Sequence, residues 1–288
     1  MTTALKHSDS CRLDQLSSLQ LPTLPGGTPF LLKSLTNENI DFVELAEVIE
    51  KFPSIAGKLI SLVNSAWSAP VSEVTSLEAT CSRLGFGVVR STGIALAVAS
   101  PFNPISCLSF DPEYFWCSAL LTADAAARLV SVSSSSNNLE PSSARAAGLL
   151  HNLAVLWLVD KLPAEADQAL ILVKTKQAES LQQALLHVLG FDQMQAGRRL
   201  GQSWDLPAPL VAAMSHYPEI DYRAAQSGIV TTVGLAVKLV SAVLKEAPCP
   251  MPDVRMSGLG ITEENLSNVF EQINGQLAKT RAIAKVLT

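Results

Sequence analysis

The sequence predicts an all-α fold, and three observations support that prediction. The chain of 288 residues is 48% hydrophobic but only 6% aromatic, and it is richer in the helix formers Ala and Leu than in β-branched runs. Apolar residues recur at helical spacing in one segment after another, without strand-like alternation. Helix start and stop signals frame these segments. We therefore expect a multi-helix fold with a sizeable core.

The first predicted helices follow a turn-rich "LPTLPGG" segment. "DFVELAEVIEKF" begins with Asp41 three residues before Glu44, which is the pattern of a capping box. Pro53 ends this helix and starts the next, "PSIAGKLISLVNSA". Gly85 is expected to close a short helix, and a largely buried helix then stops before Pro101. The apolar face predicted for the first of these helices consists of Phe42, Leu45, Val48, Ile49 and Phe52.

The second helical block begins at Asp111, a capping residue that is followed by Pro112 at the first helical position. The polar stretch 131–143 is predicted to be a mobile surface loop. One continuous helix is expected over 144–162, and a buried helix over 228–244. The last helix starts after Thr262. Its predicted apolar stripe is Leu266, Val269, Phe270, Ile273 and Leu277.

Composition argues against several classes of function. The net charge is -5 and no basic block occurs, so we expect no nucleic-acid partner. The apolar run 228–244 contains Lys238 and is shorter than the roughly 20 residues that span a bilayer, so we expect no membrane insertion. Five widely spaced cysteines without a CxxC pair, and an N-terminus unlike a signal peptide, indicate a reducing cytoplasm.

The segment "AGLLHNLAVLWL" is unusual because His151 and Asn152 interrupt an otherwise apolar run. Buried polar groups need hydrogen-bond partners, so this pair is either part of a metal site or a satisfied pair in the core. The four histidines form no HxxxH pair, and neither a phosphate-binding loop nor a nucleophile elbow is present. The residues alone leave both interpretations open.

Six segments in a fixed order resemble the HDOD family of bacterial signalling proteins, which is related to the HD phosphohydrolases. They run from about Leu21 to Tyr217. The segments are "LPTLP", "ELAEVIEKFPSIAGKLISLVNSAW", "SLEATCSRLGFGVVRS", "FWCSALLTADAAARL", "AGLLHNLAVLWL" and "LGFDQMQAGRRLGQSWDLPAPLVAAMSHY". The resemblance implies an HD-domain-like helical fold with an N-terminal helical bundle.

The resemblance also supplies a ligand pattern, since catalytic HD enzymes bind divalent metal through a His, a His-Asp pair and a later Asp. The first His falls on Ser118 here, the His-Asp pair on His151 and Asn152, and the closing Asp near Gly234. Gln193 stands where such proteins often carry another His. A divalent ion needs charged oxygen ligands, and these vestigial positions offer no carboxylate. We therefore expect no metal, no cofactor and no catalytic residue, and we interpret His151 and Asn152 as a hydrogen-bonded core pair.

Two tryptophans have alternative interpretations. Trp67, in "NSAWSAP", either folds back onto the bundle or is an exposed anchor for a partner, because Trp is common at interface hot spots. Trp204, before "DLP", is predicted to be a core residue at the end of a helix.

The predicted organisation is a polar tail over 1–20, an HDOD domain over 21–217 and C-terminal helices over 218–288 that pack on it. The N-terminal bundle extends to about residue 105, and an HD-like core follows. The resemblance implies a regulatory role in bacterial signal transduction. We expect a stand-alone, non-catalytic protein that acts through a protein partner, because the ligand residues are replaced and little chain lies outside the predicted fold. The alternatives are a small-molecule or nucleotide sensor that uses the HD cavity, and a residual metal-dependent phosphohydrolase.

Overall fold

The computed structural model describes residue 16 and residues 19–24, 26–37, 40–64, 73–135 and 139–288. Within these ranges the regular structure is helical and no strand occurs, which confirms the predicted all-α class. The N-terminal helices are α1 (Thr28–Thr36), α2 (Phe42–Glu50), α3 (Pro53–Asn64), α4 (Leu77–Leu84) and α5 (Phe86–Ala99). After a 3-10 turn at Pro104–Ser106 come α6 (Pro112–Val132), α7 (Pro141–Leu150), α8 (Ala154–Lys161), α9 (Pro163–Lys174) and α10 (Leu181–Leu189). The chain ends with α11 (Gln193–Ser203), α12 (Ala208–His216), α13 (Ser227–Leu244), α14 (Val254–Leu259) and α15 (Glu263–Leu287).

The N-terminal helices form a bundle around α5. The predicted capping box is present at the start of α2, where Asp41 accepts hydrogen bonds from the backbone and Glu44 bonds back to the Asp41 N–H. Helix α5 is buried from Val89 to Val98 and packs against α1, α3 and α4. Phe42 departs from the predicted apolar face, since it is 47% exposed and its ring packs edge-on against Phe86.

Helix α6 lies at the centre of the second block. Asp111 caps it through the Tyr114 N–H, and Pro112 occupies its first turn, as predicted. It packs against α7, α13 and α15, so the helices after residue 217 share one core with those before it. The division at residue 217 itself stays a prediction. In α15 the predicted stripe is confirmed, with Leu266, Val269 and Ile273 buried and Phe270 and Leu277 packed beside them.

The segment before α1 is tied to this core by two tryptophans. The Trp157 indole Nε1 donates a hydrogen bond to the Gln20 carbonyl, at 3.1 Å. The Trp204 Nε1 donates to the Pro22 carbonyl, at 2.7 Å. Trp204 ends α11 as predicted, and it is partly buried against the core. Trp67 lies outside the described residues.

The loop predicted over 131–143 is shorter than expected, because α6 continues to Val132 and α7 begins at Pro141. The hydroxyl groups of Ser133 and Ser134 donate hydrogen bonds to the carbonyls of Leu259 and Gly260. These bonds attach the first part of the loop to the end of α14.

Among the described residues, two helices, α6 and α13, are long and apolar enough to cross a membrane by length and composition alone. In each, more than half of the most apolar window is buried inside the protein, 67% for α6 and 56% for α13. The prediction of a buried helix over 228–244 is confirmed by α13. Four cysteines are free thiols among the described residues, Cys81, Cys107, Cys117 and Cys249.

Candidate functional site

The helix predicted over 144–162 is broken, which corrects the sequence-based prediction. Helix α7 ends at Leu150, α8 starts at Ala154, and a tight turn joins them. In the turn, the Leu153 N–H donates to the Leu150 carbonyl and the Val155 N–H to the Asn152 carbonyl, both at 3.0 Å. These bonds span three residues where an α-helix would span four.

The His151 side chain explains the break. Its Nδ1 lies 2.7 Å from the Gly148 carbonyl oxygen, the acceptor that the Asn152 N–H would use if the α-helix continued. Because a carbonyl oxygen only accepts, Nδ1 must carry the proton of the neutral ring and Nε2 must be left as an acceptor. The side chain therefore competes with the helix for a backbone acceptor, as polar side chains commonly do at helix ends.

Burial fixes the charge of this ring. His151 is 5% exposed, and burial lowers its pKa from 6.5 to about 4, while the hydrogen bond with Gly148 opposes that shift. The imidazole is therefore neutral at physiological pH. A neutral ring is a usable metal ligand, so its charge state alone does not exclude a metal.

Gly148 sets the distance between α7 and α6. A Cβ at this position would lie 2.7 Å from the Thr122 carbonyl oxygen and 3.0 Å from the Ala123 Cα. The backbones therefore approach too closely for any other residue. This approach brings the His151 turn beside Ser118, one helical turn before Thr122.

Tyr217 closes the other side of the His151 ring. The two rings pack edge to face, with centroids 4.8 Å apart and planes at 87°. A hydrogen bond links the Tyr217 hydroxyl to the Gln193 side chain, and burial raises the pKa of Tyr217, which keeps it protonated. Gln193, predicted as a replaced histidine, is 6% exposed, and its Oε1 is buried without a hydrogen-bond partner.

Ser118, His151 and Asn152 together line one cavity of about 190 Å³. The His151 Nδ1 has its partner in the immediately preceding helix and not on a neighbouring helix of the bundle, and the Asn152 Oδ1 is buried without a hydrogen-bond partner. The prediction of a pair satisfied by neighbouring helices is therefore wrong for this oxygen. Asp111 is the only carboxylate among the described lining residues, and its Oδ1 already accepts the Tyr114 N–H at the start of α6. The other lining residues are Ser109, Phe110, Tyr114, Phe115, Ala119, Val155, Leu170 and Leu181.

Gly234 does not line this cavity. A Cβ on Gly234 would lie within 3 Å of both the Tyr217 carbonyl oxygen and the Arg255 Nη1. Protein atoms therefore fill the space in which an aspartate side chain would have to stand. Arg255 is itself held by Asp253, to which Lys238 also donates a hydrogen bond, at 3.0 Å.

The donor set does not fit a catalytic metal. At the positions predicted from the resemblance, the cavity offers one neutral imidazole, one hydroxyl and one amide, and Gly234 has neither a side chain nor room for one. The one carboxylate among the described lining residues, Asp111, caps the start of α6. Hard divalent cations need carboxylate oxygens for coordination and for countercharge. Across the part of the chain that the structure describes, no group of three or more His, Cys, Asp or Glu residues is placed to hold a metal ion.

Sequence reasoning missed the group formed by Tyr217, Asp253 and Arg255. Nothing in the "SHY" segment indicates that its tyrosine packs on His151. Asp253 and Arg255 are two residues apart after a proline-rich stretch. Such a pair is common on protein surfaces, so no sequence signal reveals that Arg255 becomes buried, at 8% exposure.

Comparisons with known proteins identify the family of this chain. The family model of the HDOD domain matches residues 21–220, and the chain belongs to the HDOD family. A search of the curated proteins gave no match.

Several solved structures share the fold. The structure of a protein assigned to signal transduction in Marinobacter aquaeolei VT8 is 20% identical with a TM-score of 0.80, and the match covers 98% of this chain and 66% of that one. An HDOD domain protein of unknown function from Geobacter sulfurreducens is 17% identical with a TM-score of 0.72, and the match covers 99% of each chain. A protein assigned as a phosphohydrolase in Shewanella amazonensis SB2B is 23% identical with a TM-score of 0.69, with 96% of this chain and 98% of that one covered. At these identities the similarity establishes the fold alone.

Proposed function

We propose that this protein is a non-catalytic HDOD regulator of bacterial signal transduction that acts in the cytoplasm by binding a protein partner. The observation that carries the non-catalytic part is the donor set, in which Ser118, His151 and Asn152 border the cavity and Gly234 is packed against protein. Without a metal, the site has no means of lowering the pKa of an attacking water. The family and the signal-transduction assignment of the Marinobacter protein support the regulatory part.

An assay for phosphodiester hydrolysis tests the proposal that the protein is not a catalyst. The purified protein is incubated with Mn²⁺, Fe²⁺ or Mg²⁺ and with bis(p-nitrophenyl) phosphate or a cyclic dinucleotide. We expect no hydrolysis above that of the His151→Ala variant. Metal-dependent hydrolysis that disappears in His151→Ala would refute the proposal and support a residual phosphohydrolase.

An exposed apolar loop is the candidate surface for the proposed protein–protein interaction. Ile105 is 80% exposed and Leu108 is 89% exposed, between α5 and α6. Both line a groove of about 620 Å³ between the N-terminal bundle and the second block, with Lys58 on its wall. Apolar side chains that gather at such a groove are typical of interaction surfaces. A partner that presents apolar side chains beside a carboxylate would match this groove.

The matched control is Ile220, which is also apolar and 52% exposed but lines a different pocket, together with Tyr222 and Arg223. Wild type, Leu108→Asp and Ile220→Asp are used as baits in lysate of the source bacterium, with cross-linking and quantitative mass spectrometry. We expect a protein captured by wild type and by Ile220→Asp but lost with Leu108→Asp. Equal capture by all three baits, or capture by none, would count against the proposal.

A further inference from the structure

The cavity beside His151 plays no part in the proposed partner binding, yet its size suits a ligand. Its volume is about 190 Å³, and an apolar cavity of about 150 Å³ in another protein admits benzene. Pockets for larger ligands such as nucleotides typically begin near 300 Å³. The space therefore suits a single ring with a short substituent.

Most of the wall is apolar. Side chains from four different helices and the loop before α6 provide it, and they are Phe110, Phe115, Val155, Leu170 and Leu181. Contact with such a wall favours an apolar body, because its burial removes hydrocarbon surface from water.

Polar side chains also line the cavity, among them those of Ser118, His151 and Asn152. His151 is neutral, and its proton lies on the nitrogen bonded to Gly148, so Nε2 can only accept. The Asn152 Oδ1 is buried without a partner, a state that typically costs about 1 to 3 kcal/mol. Rotation of this amide would offer the oxygen to a donor in the cavity, and the Ser118 hydroxyl can donate or accept.

Charge narrows the choice of ligand. Neither Lys nor Arg occurs among the described residues that line the cavity, and the one ionised side chain there is the Asp111 carboxylate. A phosphate or carboxylate ligand would therefore lose its hydration without gaining a countercharge. The same reasoning argues against the nucleotides expected from the sequence as one alternative.

We propose that this cavity is a binding site for a small uncharged molecule with an apolar body and one hydroxyl or amide group. The apolar body lies against Phe115 and Val155. A hydroxyl group donates its one hydrogen to the Asn152 Oδ1, and an amide group has a second hydrogen for the His151 Nε2. Binding at this site does not depend on the partner proposed above, so either proposal can fail alone.

Three probes test the proposal on the full chain, with isothermal titration calorimetry and thermal unfolding as readouts. Benzyl alcohol has the expected chemistry, toluene lacks the hydroxyl, and benzoate replaces it with an anionic group. We expect benzyl alcohol to bind one site and to raise the melting temperature. Benzoate is expected to bind at least tenfold more weakly than benzyl alcohol.

Variants locate the site. Ala119→Leu places a larger side chain in the cavity wall, and we expect it to weaken benzyl alcohol and toluene alike. Asn152→Leu removes the unpartnered oxygen and is expected to weaken benzyl alcohol about fivefold to tenfold, the usual value of one hydrogen bond, with little effect on toluene. Asn274→Leu, on the exposed face of α15, is the matched control and should leave both affinities unchanged.

Several outcomes would overturn the proposal. They are absence of benzyl alcohol binding to wild type, binding that persists unchanged in a folded Ala119→Leu protein, and benzoate binding as tight as that of benzyl alcohol. Equal losses of benzyl alcohol affinity in Asn152→Leu and Asn274→Leu would also contradict it. Circular dichroism of each variant establishes that it is folded.

Discussion

Tyr217 lies between two regions that the family resemblance predicts to be parts of one ligand set in the related HD enzymes. Its ring packs on His151, beside a cavity that Ser118 and Asn152 also line. Its backbone carbonyl faces Gly234, where Arg255 occupies the remaining space. The first region contains an open volume of about 190 Å³, whereas protein atoms fill the space in the second. Only the first region therefore has room for another ligand.

The sharpest test of this contrast is a side chain at Gly234. Because a Cβ there would overlap the Tyr217 carbonyl and Arg255, we expect Gly234→Ala to lower the free energy of unfolding by more than about 3 kcal/mol. Gly234→Asp should fail to fold or be less stable still. Chemical denaturation followed by circular dichroism measures both.

Gly275 provides the matched control, since it also lies within a helix but a Cβ added there would meet no atom within 4 Å. Gly275→Ala is expected to stabilise the protein by about 1 kcal/mol through helix propensity. A Gly234→Ala protein as stable as Gly275→Ala would show that the second region is not filled.

Acid should destabilise the protein through His151. Its pKa is about 4 when folded and about 6.5 when unfolded, so the unfolded chain binds more protons between these values. The contribution of His151 to the free energy of unfolding is fully present above pH 6.5 and is lost as the pH falls toward 4. The expected loss is on the order of 3 kcal/mol.

Urea unfolding of wild type and His151→Leu at several pH values measures this contribution. We expect His151→Leu to remain folded and to lose less stability than wild type between pH 6.5 and 4. Parallel curves for the two proteins would show that His151 is not buried as a neutral ring.

In the filled region, Asp253→Asn tests the ion pairs that hold Arg255. Asparagine preserves the capping bond to the Arg255 N–H but removes the charge. Burial alone would raise the pKa of Asp253, yet hydrogen bonds from Arg255 and Lys238 lower it to about 2. We expect a loss of about 2 kcal/mol, because the Arg255 side chain is only 9% exposed and would lack its anion. No change in the denaturation midpoint would contradict this account.

The smallest expected effect lies in the open region. Asn152→Leu replaces an amide whose oxygen is buried and unpartnered by an apolar side chain of similar size. We expect the free energy of unfolding to rise by about 1 kcal/mol. A loss of stability would indicate that the amide has a partner in solution.

Local signals predicted most of the helices but not the shape of the site. The capping box at Asp41 and the N-cap at Asp111 involve only residues within three positions of each other along the chain. They can therefore be predicted without knowing the rest of the fold. The spacing of apolar residues could not predict the break at His151. The break depends on a hydrogen bond from the His151 side chain to a backbone carbonyl, and the pattern of apolar residues carries no information about such a bond. The overlap at Gly234 depends on Tyr217 and Arg255, which lie 17 and 21 residues away along the chain and meet it only in the folded protein.

The most direct test of the central claim is the NMR response of the His151 ring to metal. Long-range ¹H–¹⁵N spectra are recorded while Zn²⁺ is added to the full chain, with His187 and His216 as internal references. We predict that His151 keeps a proton on Nδ1 and that its Nε2 resonance does not move as Zn²⁺ reaches several equivalents. An Nε2 shift that saturates at one equivalent of Zn²⁺ would contradict the account, because it would show that the residues around His151 bind metal.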